Sequence, residues 1–222
     1  MGAKFMKNTK IAIIAGTPVD TKLGVNFLIS KGVQAFGYPI SSTPEEQSAL
    51  QILSAETLTE QVRSRIKEIK NDGFETVVIY CNSMSAAVNM DKLSSQEDIN
   101  IITPYNAYRQ IAKKYNLIGL MTANNQSAAG IEKVIQTENP NCNVLGMSIL
   151  PLVIEIEKDT SSDKIIEKFS LKKLLEFYIN NKVEAILLGC THFPCLKKEL
   201  EKLTCIPIID PAELMFKTII EF

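Results

Sequence analysis

Residues 77–87 read VVIYCNSMSAA: a run of β-formers that ends in Cys81, Asn82 and Ser83 and passes into small residues. A strand with no polar alternation is covered on both faces, as strands are in a parallel sheet. Residues 185–195 repeat the device, with AILLGCTHFPC closing an apolar run on Cys190, Thr191 and His192. The two cysteines are 109 residues apart. A second repeat runs alongside: IAIIAGTP starts at 11 and LIGLMTAN at 117. The chain therefore reads as two halves of similar build.

Between these landmarks short apolar runs alternate with helical patterns. Strands are expected at 10–15, 33–38, 76–80, 99–104, 117–121, 142–150, 183–189 and 206–210. A helix is expected over about 21–32. Another starts at Thr43, Pro44, Glu45 and Glu46, which supply a cap, a first-turn proline and charges that suit the helix dipole. Leu58, Val62, Ile66 and Ile69 fall on one helical face, which Asn71-Asp72-Gly73 ends. SAAVNMDKL, NAYRQIAKKY and NQSAAGIEKVIQ read as helices, as do the long stretch 163–180, PCLKKELEKL and the closing PAELMFKTIIEF. Such alternation predicts an α/β fold: two pseudo-symmetric α/β domains with mainly parallel sheets. The boundary is expected within 97–104. We assign 1–100 with 210–222 to a first domain carrying Cys81, and 101–209 to a second carrying Cys190.

The bulk numbers narrow the function. The chain has 222 residues, 45% of them hydrophobic, which suffices for packed cores. Lys plus Arg is 24 and Asp plus Glu 25, so no broad nucleic-acid or membrane surface is expected. No apolar run approaches the ~20 residues of a membrane span, and IAIIAG is too short for a signal core. A cytoplasmic location is expected. Five cysteines without framework spacing argue against a disulfide scaffold there.

In parallel α/β sheets ligand sites form at the carboxyl ends of strands. That rule places both cysteines at such ends, facing each other across one cleft. A helix N-terminus lowers a thiol's pKa, so each cysteine is expected to cycle between thiol and thiolate near neutral pH. One thiolate would take a proton from carbon while the opposite thiol supplies one to the other face, inverting a stereocentre. Asn82, Ser83 and Thr191 would bind a carboxylate. His192, the only histidine, would polarise the Cys190 thiol. Cys142, Cys195 and Cys205 read as structural. The set Cys190, His192, Cys195 and Cys205 has poor spacing for zinc, and no metal is expected. AGTPVDTKLG lacks the spacing of a nucleotide-binding loop.

VVIYCNS and AILLGCTHFP together resemble the aspartate/glutamate racemase superfamily, which works without pyridoxal phosphate. The likeness extends over nearly the whole chain. It implies no cofactor, an active site in the cleft between two domains, a small amino-acid substrate and a homodimer. It implies that Cys81 and Cys190 are the acid–base pair and that His192 assists the second. Gly16, Thr17 and Thr21 would line the site, with Thr122, Asn124 and Asn125 from the second half. The activity implied is racemisation of aspartate or glutamate by two-base thiol/thiolate transfer at Cα. A hydantoin racemase or a cis-trans isomerase of the same superfamily is the alternative, as is a non-catalytic module binding an acidic ligand. Glutamate racemases carry Asp-Ser after the first strand, where this chain has Ala15-Gly16 and a displaced Asp20. The arginine that aspartate racemases place in the loop equivalent to 38–47 has no counterpart, since no arginine precedes Arg63. Lys164 is a weaker cationic candidate.

Overall fold

The continuous apolar runs of the sequence become strands buried on both faces within two parallel sheets. The computed structural model describes residues 10–42, 46 and 53–221. Of the helix start expected at Thr43–Glu46, all but Glu46 lies outside the described residues.

The chain divides into two units, Met1–Asn106 with Ala212–Phe222, and Ala107–Pro211. The first holds strands β1 (Lys10–Ala15), β2 (Gln34–Pro39), β3 (Thr76–Ile79) and β4 (Asn100–Ile102). They form one sheet in the order β2-β1-β3-β4, every pair parallel. The second holds β5 (Leu117–Thr122), β6 (Asn143–Ser148), β7 (Ala185–Leu188) and β8 (Ile208–Ile209). Their order is β6-β5-β7-β8, again parallel throughout. The two sheets thus share one topology, and the cysteine-bearing strand is third in each.

The helices follow from capping and from one apolar face. Helix α1 (Pro18–Ser30) starts at Thr17, whose side chain accepts from the Asp20 amide, with Pro18 in the first turn. Helix α2 (Ala55–Asn71) buries Leu58, Val62, Ile66 and Ile69 against β3 and ends at Asp72. Arg63 on it pairs with Glu97 and Glu60. The stretch after Cys81 is two helices, α3 (Asn82–Ala87) and α4 (Met90–Glu97), because Val88 is extended and Asn89 caps a new start. Helix α5 (Pro104–Ala112) carries the chain across the boundary at Asn106 into the second unit.

In the second unit α6 (Asn125–Glu138) is capped by Asn124. Helix α7 (Leu150–Glu157) follows β6. The long amphipathic stretch divides into α8 (Ser162–Lys168) and α9 (Leu171–Asn180). Ser170 between them is left-handed at φ 51°. After β7 comes a 3-10 turn, Phe193–Leu196, and then the short α10 (Lys197–Glu201). Helix α11 (Pro211–Glu221) ends the chain and packs in the first unit, where Glu213 pairs with Lys31 at 2.9 Å. Among the described residues no helix is long and apolar enough to cross a membrane.

Candidate active site

In the first unit the predicted residues meet at the carboxyl edge of the sheet. The amide one residue before Cys81, that of Tyr80, donates to the Ile14 carbonyl at 2.7 Å, which ties the end of β3 to β1. Cys81 is extended and buried, and it stands at the N-cap position of α3. Its carbonyl accepts from the Ser85 hydroxyl at 2.8 Å. Its Sγ lies 3.4 Å from Ser83 Oγ. Asn82 is buried beside it in sequence.

The loop after β1 is built around backbone acceptors. The Gly16 carbonyl accepts from the Ser41 hydroxyl at 2.7 Å, and the Thr17 carbonyl from the Thr21 hydroxyl at 2.7 Å. Thr17, Asp20 and Thr21 are all buried. The hydroxyls of Thr17 and Thr21 therefore hold the turn together. Asp20 was not assigned a role from the sequence, yet its charge acts on Cys81.

Burial pushes the Cys81 thiol above its ordinary pKa; the Ser83 hydroxyl pulls it down, and the Asp20 carboxylate pushes it up. This corrects the expectation that a helix N-terminus would lower it. Helix α3 has six residues, and its dipole does not offset the loss of water around the sulfur. Cys81 is held as a thiol.

The second unit repeats the plan with different neighbours. The amide one residue before Cys190, that of Gly189, donates to the Met121 carbonyl at 2.7 Å. A Cβ at Gly189 would meet Ile131, Leu120 and Thr122 at 2.8 to 2.9 Å, so any larger residue there must push these side chains aside. Thr122 is fully buried; its hydroxyl donates to the Asn124 carbonyl at 3.1 Å and lies 2.9 Å from Ser148 Oγ. Asn124 Oδ1 accepts from the Ser127 amide at 2.8 Å. Asn125 is exposed and Thr191 half-buried.

Cys190 leads into a 3-10 turn, so it lacks the α-helix N-terminus the sequence suggested. Its chemical environment is a side-chain chain instead. His192 Nδ1 lies 3.7 Å from Cys190 Sγ, and His192 Nε2 lies 3.1 Å from Glu157 Oε1. Both Cys190 and His192 are buried. With Nε2–H donated to the carboxylate, Nδ1 faces the thiol as an acceptor; protonated, it is a donor to the thiolate. Glu157, at the end of α7, joins this arrangement although nothing in the sequence singles it out. It is one of two acidic residues, with Glu155, in the otherwise apolar run LPLVIEIE.

Lys164 is exposed on α8. Cys142 is buried, whereas Cys195 and Cys205, expected to be structural, are exposed. All five cysteines are free thiols.

The model of the Asp/Glu/Hydantoin racemase family matches residues 35–219. Glutamate racemase of Limosilactobacillus reuteri is 30% identical over 166 residues, 72% of this chain and 60% of that protein. Glutamate racemase of Clostridium botulinum is 26% identical over 156 residues, 65% of this chain and 58% of that protein. The chain thus spans about three-fifths of the length of these curated relatives. Among solved structures, glutamate racemase of Francisella tularensis, crystallised with D-glutamate, superposes with a TM-score of 0.75 at 22% identity, covering 96% of this chain and 80% of that one. An aspartate racemase homologue from Pyrococcus horikoshii gives 0.72 at 15% identity, covering 96% and 98%.

Proposed function

The chain belongs to the Asp/Glu/Hydantoin racemase family, and from that membership we propose that it is a cofactor-independent racemase of an acidic amino acid, aspartate or glutamate. The observation that carries the reading is the duplication. Two sheets of one topology each end their third strand in a buried cysteine followed by small polar residues. One acid–base thiol would serve for one-sided protonation; a matched pair suits a reaction that runs in both directions.

In this reading Cys81 and Cys190 are the catalytic residues. One, as thiolate, removes the Cα proton; the other, as thiol, returns a proton to the opposite face, and the reverse reaction exchanges their roles. The raised Cys81 pKa makes Cys81 the resting acid. Cys190 is the thiol with a base beside it, since His192 stands between it and Glu157. His192 is catalytic with them, exchanging a proton with the Cys190 sulfur, and Glu157 and Asp20 are positioning residues. Asn82, Ser83 and Thr191, with Gly16, Thr17, Thr21, Thr122, Asn124 and Asn125 around them, form the substrate-binding set. Neutral amide and hydroxyl donors would hold the substrate carboxylates. We place the reaction in the cytoplasm, where free thiols persist, and take the working form to be a homodimer.

The test is proton NMR in D₂O with each enantiomer of aspartate and glutamate. Loss of the Cα proton signal for one amino acid, absent in Cys81→Ala and in Cys190→Ala, is the expected result. Exchange that survives either substitution sinks the two-base mechanism. No exchange with any of the four compounds sinks the acidic substrate, and hydantoins and substituted malonates are then the next substrates to try.

A further inference from the structure

We propose that the ring of Tyr105 is the wall that sets substrate size beside Cys81, an inference that rests on the racemase reading. The parallel pairing of β3 with β4 matches Thr76 with Asn100, Val77 with Ile101 and Val78 with Ile102. Cys81 lies three residues past the end of that ladder, and so does Tyr105. Because β3 and β4 are neighbours, the turns that follow them put both residues at the carboxyl edge of the same sheet, where Cys81 acts electrostatically on the Tyr105 phenol.

The turn that presents Tyr105 is fixed. Asn106 Oδ1 accepts from the Thr103 amide at 3.3 Å and from the Thr103 hydroxyl at 3.1 Å. Pro104 opens α5 immediately before Tyr105. The Tyr105 hydroxyl oxygen is shielded from solvent while the residue as a whole is part-exposed. The part of the residue left exposed thus excludes that oxygen. Burial, and then the nearby Cys81, push its phenol pKa up, so it stays neutral and its charge does not compete with the thiol's chemistry.

A rigid aromatic face beside the reacting sulfur limits how much side chain a substrate can carry. A fitted pocket discriminates one methylene by roughly 10- to 200-fold. Aspartate, glutamate and 2-aminoadipate differ by one methylene each, which makes them a ruler for this wall.

The experiment measures kcat/KM for Cα exchange of all three amino acids in the wild type, Tyr105→Phe, Tyr105→Leu and Tyr105→Ala. The expected result is a ratio, next longer homologue over best substrate, that rises by about tenfold or more in the Leu and Ala variants and stays unchanged in Phe. Loss of folded protein scales all three rates together and leaves the ratio alone. Tyr105→Leu carries the test should Tyr105→Ala fail to fold. An unchanged ratio in both, or a rise in Tyr105→Phe, overturns the wall while leaving the racemase reading intact. A wild type that exchanges none of the three overturns that reading, and this inference with it.

Discussion

Glu157 Oε1 lies 3.1 Å from His192 Nε2, on the far side of the imidazole from the nitrogen that faces Cys190 Sγ at 3.7 Å. A carboxylate in that place fixes the ring's orientation and its tautomer, and it stabilises the imidazolium when the ring takes the thiol's proton. A charged hydrogen bond to a buried group is worth about 1.5–3 kcal/mol, or roughly 10- to 100-fold in rate. Glu157→Gln is therefore expected to lower kcat by about that factor with KM nearly unchanged. Alkylation of Cys190 should slow while that of Cys81 stays the same. Equal slowing at both sulfurs, or a KM effect alone, would show that Glu157 does not act through His192.

The Cys81 thiol is pushed up by burial, and Asp20 adds to the rise. Its alkylation by iodoacetamide, followed in a Cys190→Ser background, should show a midpoint above the roughly 8.5 of a free cysteine. Removing a negative charge favours the thiolate, so Asp20→Asn should move that midpoint down and speed the reaction at pH 7. Ser83→Ala removes a group that pulls the pKa down, so it should move the midpoint up. Shifts of the same sign in both variants would contradict this account.

Gly189 has Ile131, Leu120 and Thr122 packed where a Cβ would go. Gly189→Ala forces them apart, and overpacking of this kind costs about 1–3 kcal/mol. Urea unfolding should show a lower midpoint with the slope unchanged. The same substitution at Gly73, which has open space but a left-handed φ of 79°, should cost about 1–2 kcal/mol. A neutral Gly189→Ala would refute the close packing behind Cys190.

Thr17 Oγ1 accepts from the Asp20 amide at 3.3 Å and caps α1. Thr17→Ala should lose about 1 kcal/mol of stability, and Thr17→Ser should restore it. Thermal melts of the two variants decide the matter. Equal melting temperatures would mean that the cap contributes nothing.

Most of the sheet was legible because its strands are nearly continuous apolar runs. Parallel strands covered on both faces leave that mark in any sequence, and β1, β3, β5 and β7 all carry it. The break between α3 and α4 was not legible. Val88 is extended and buried, and nothing in SAAVNMDKL forbids one helix. The same holds for the 3-10 turn after Cys190, where Pro194 fits either kind of helix. The cysteines announced themselves through position, each ending an apolar run. Glu157 could not, since its role depends on α7 meeting the 190–192 turn, 35 residues away from His192 in the chain. The direction of the Cys81 pKa was also hidden. Sequence shows a helix start, whereas burial of the sulfur is a property of the folded molecule.

The strand order has a consequence for motion. β3 lies between β1 and β4, and β7 between β5 and β8, so each cysteine follows a strand laddered on both sides. Amide hydrogens in such strands exchange only when large parts of a domain open. The two sulfurs are thus anchored to the slowest-exchanging parts of their sheets, and the adjustments that admit and release a substrate fall to the loops at the strand ends.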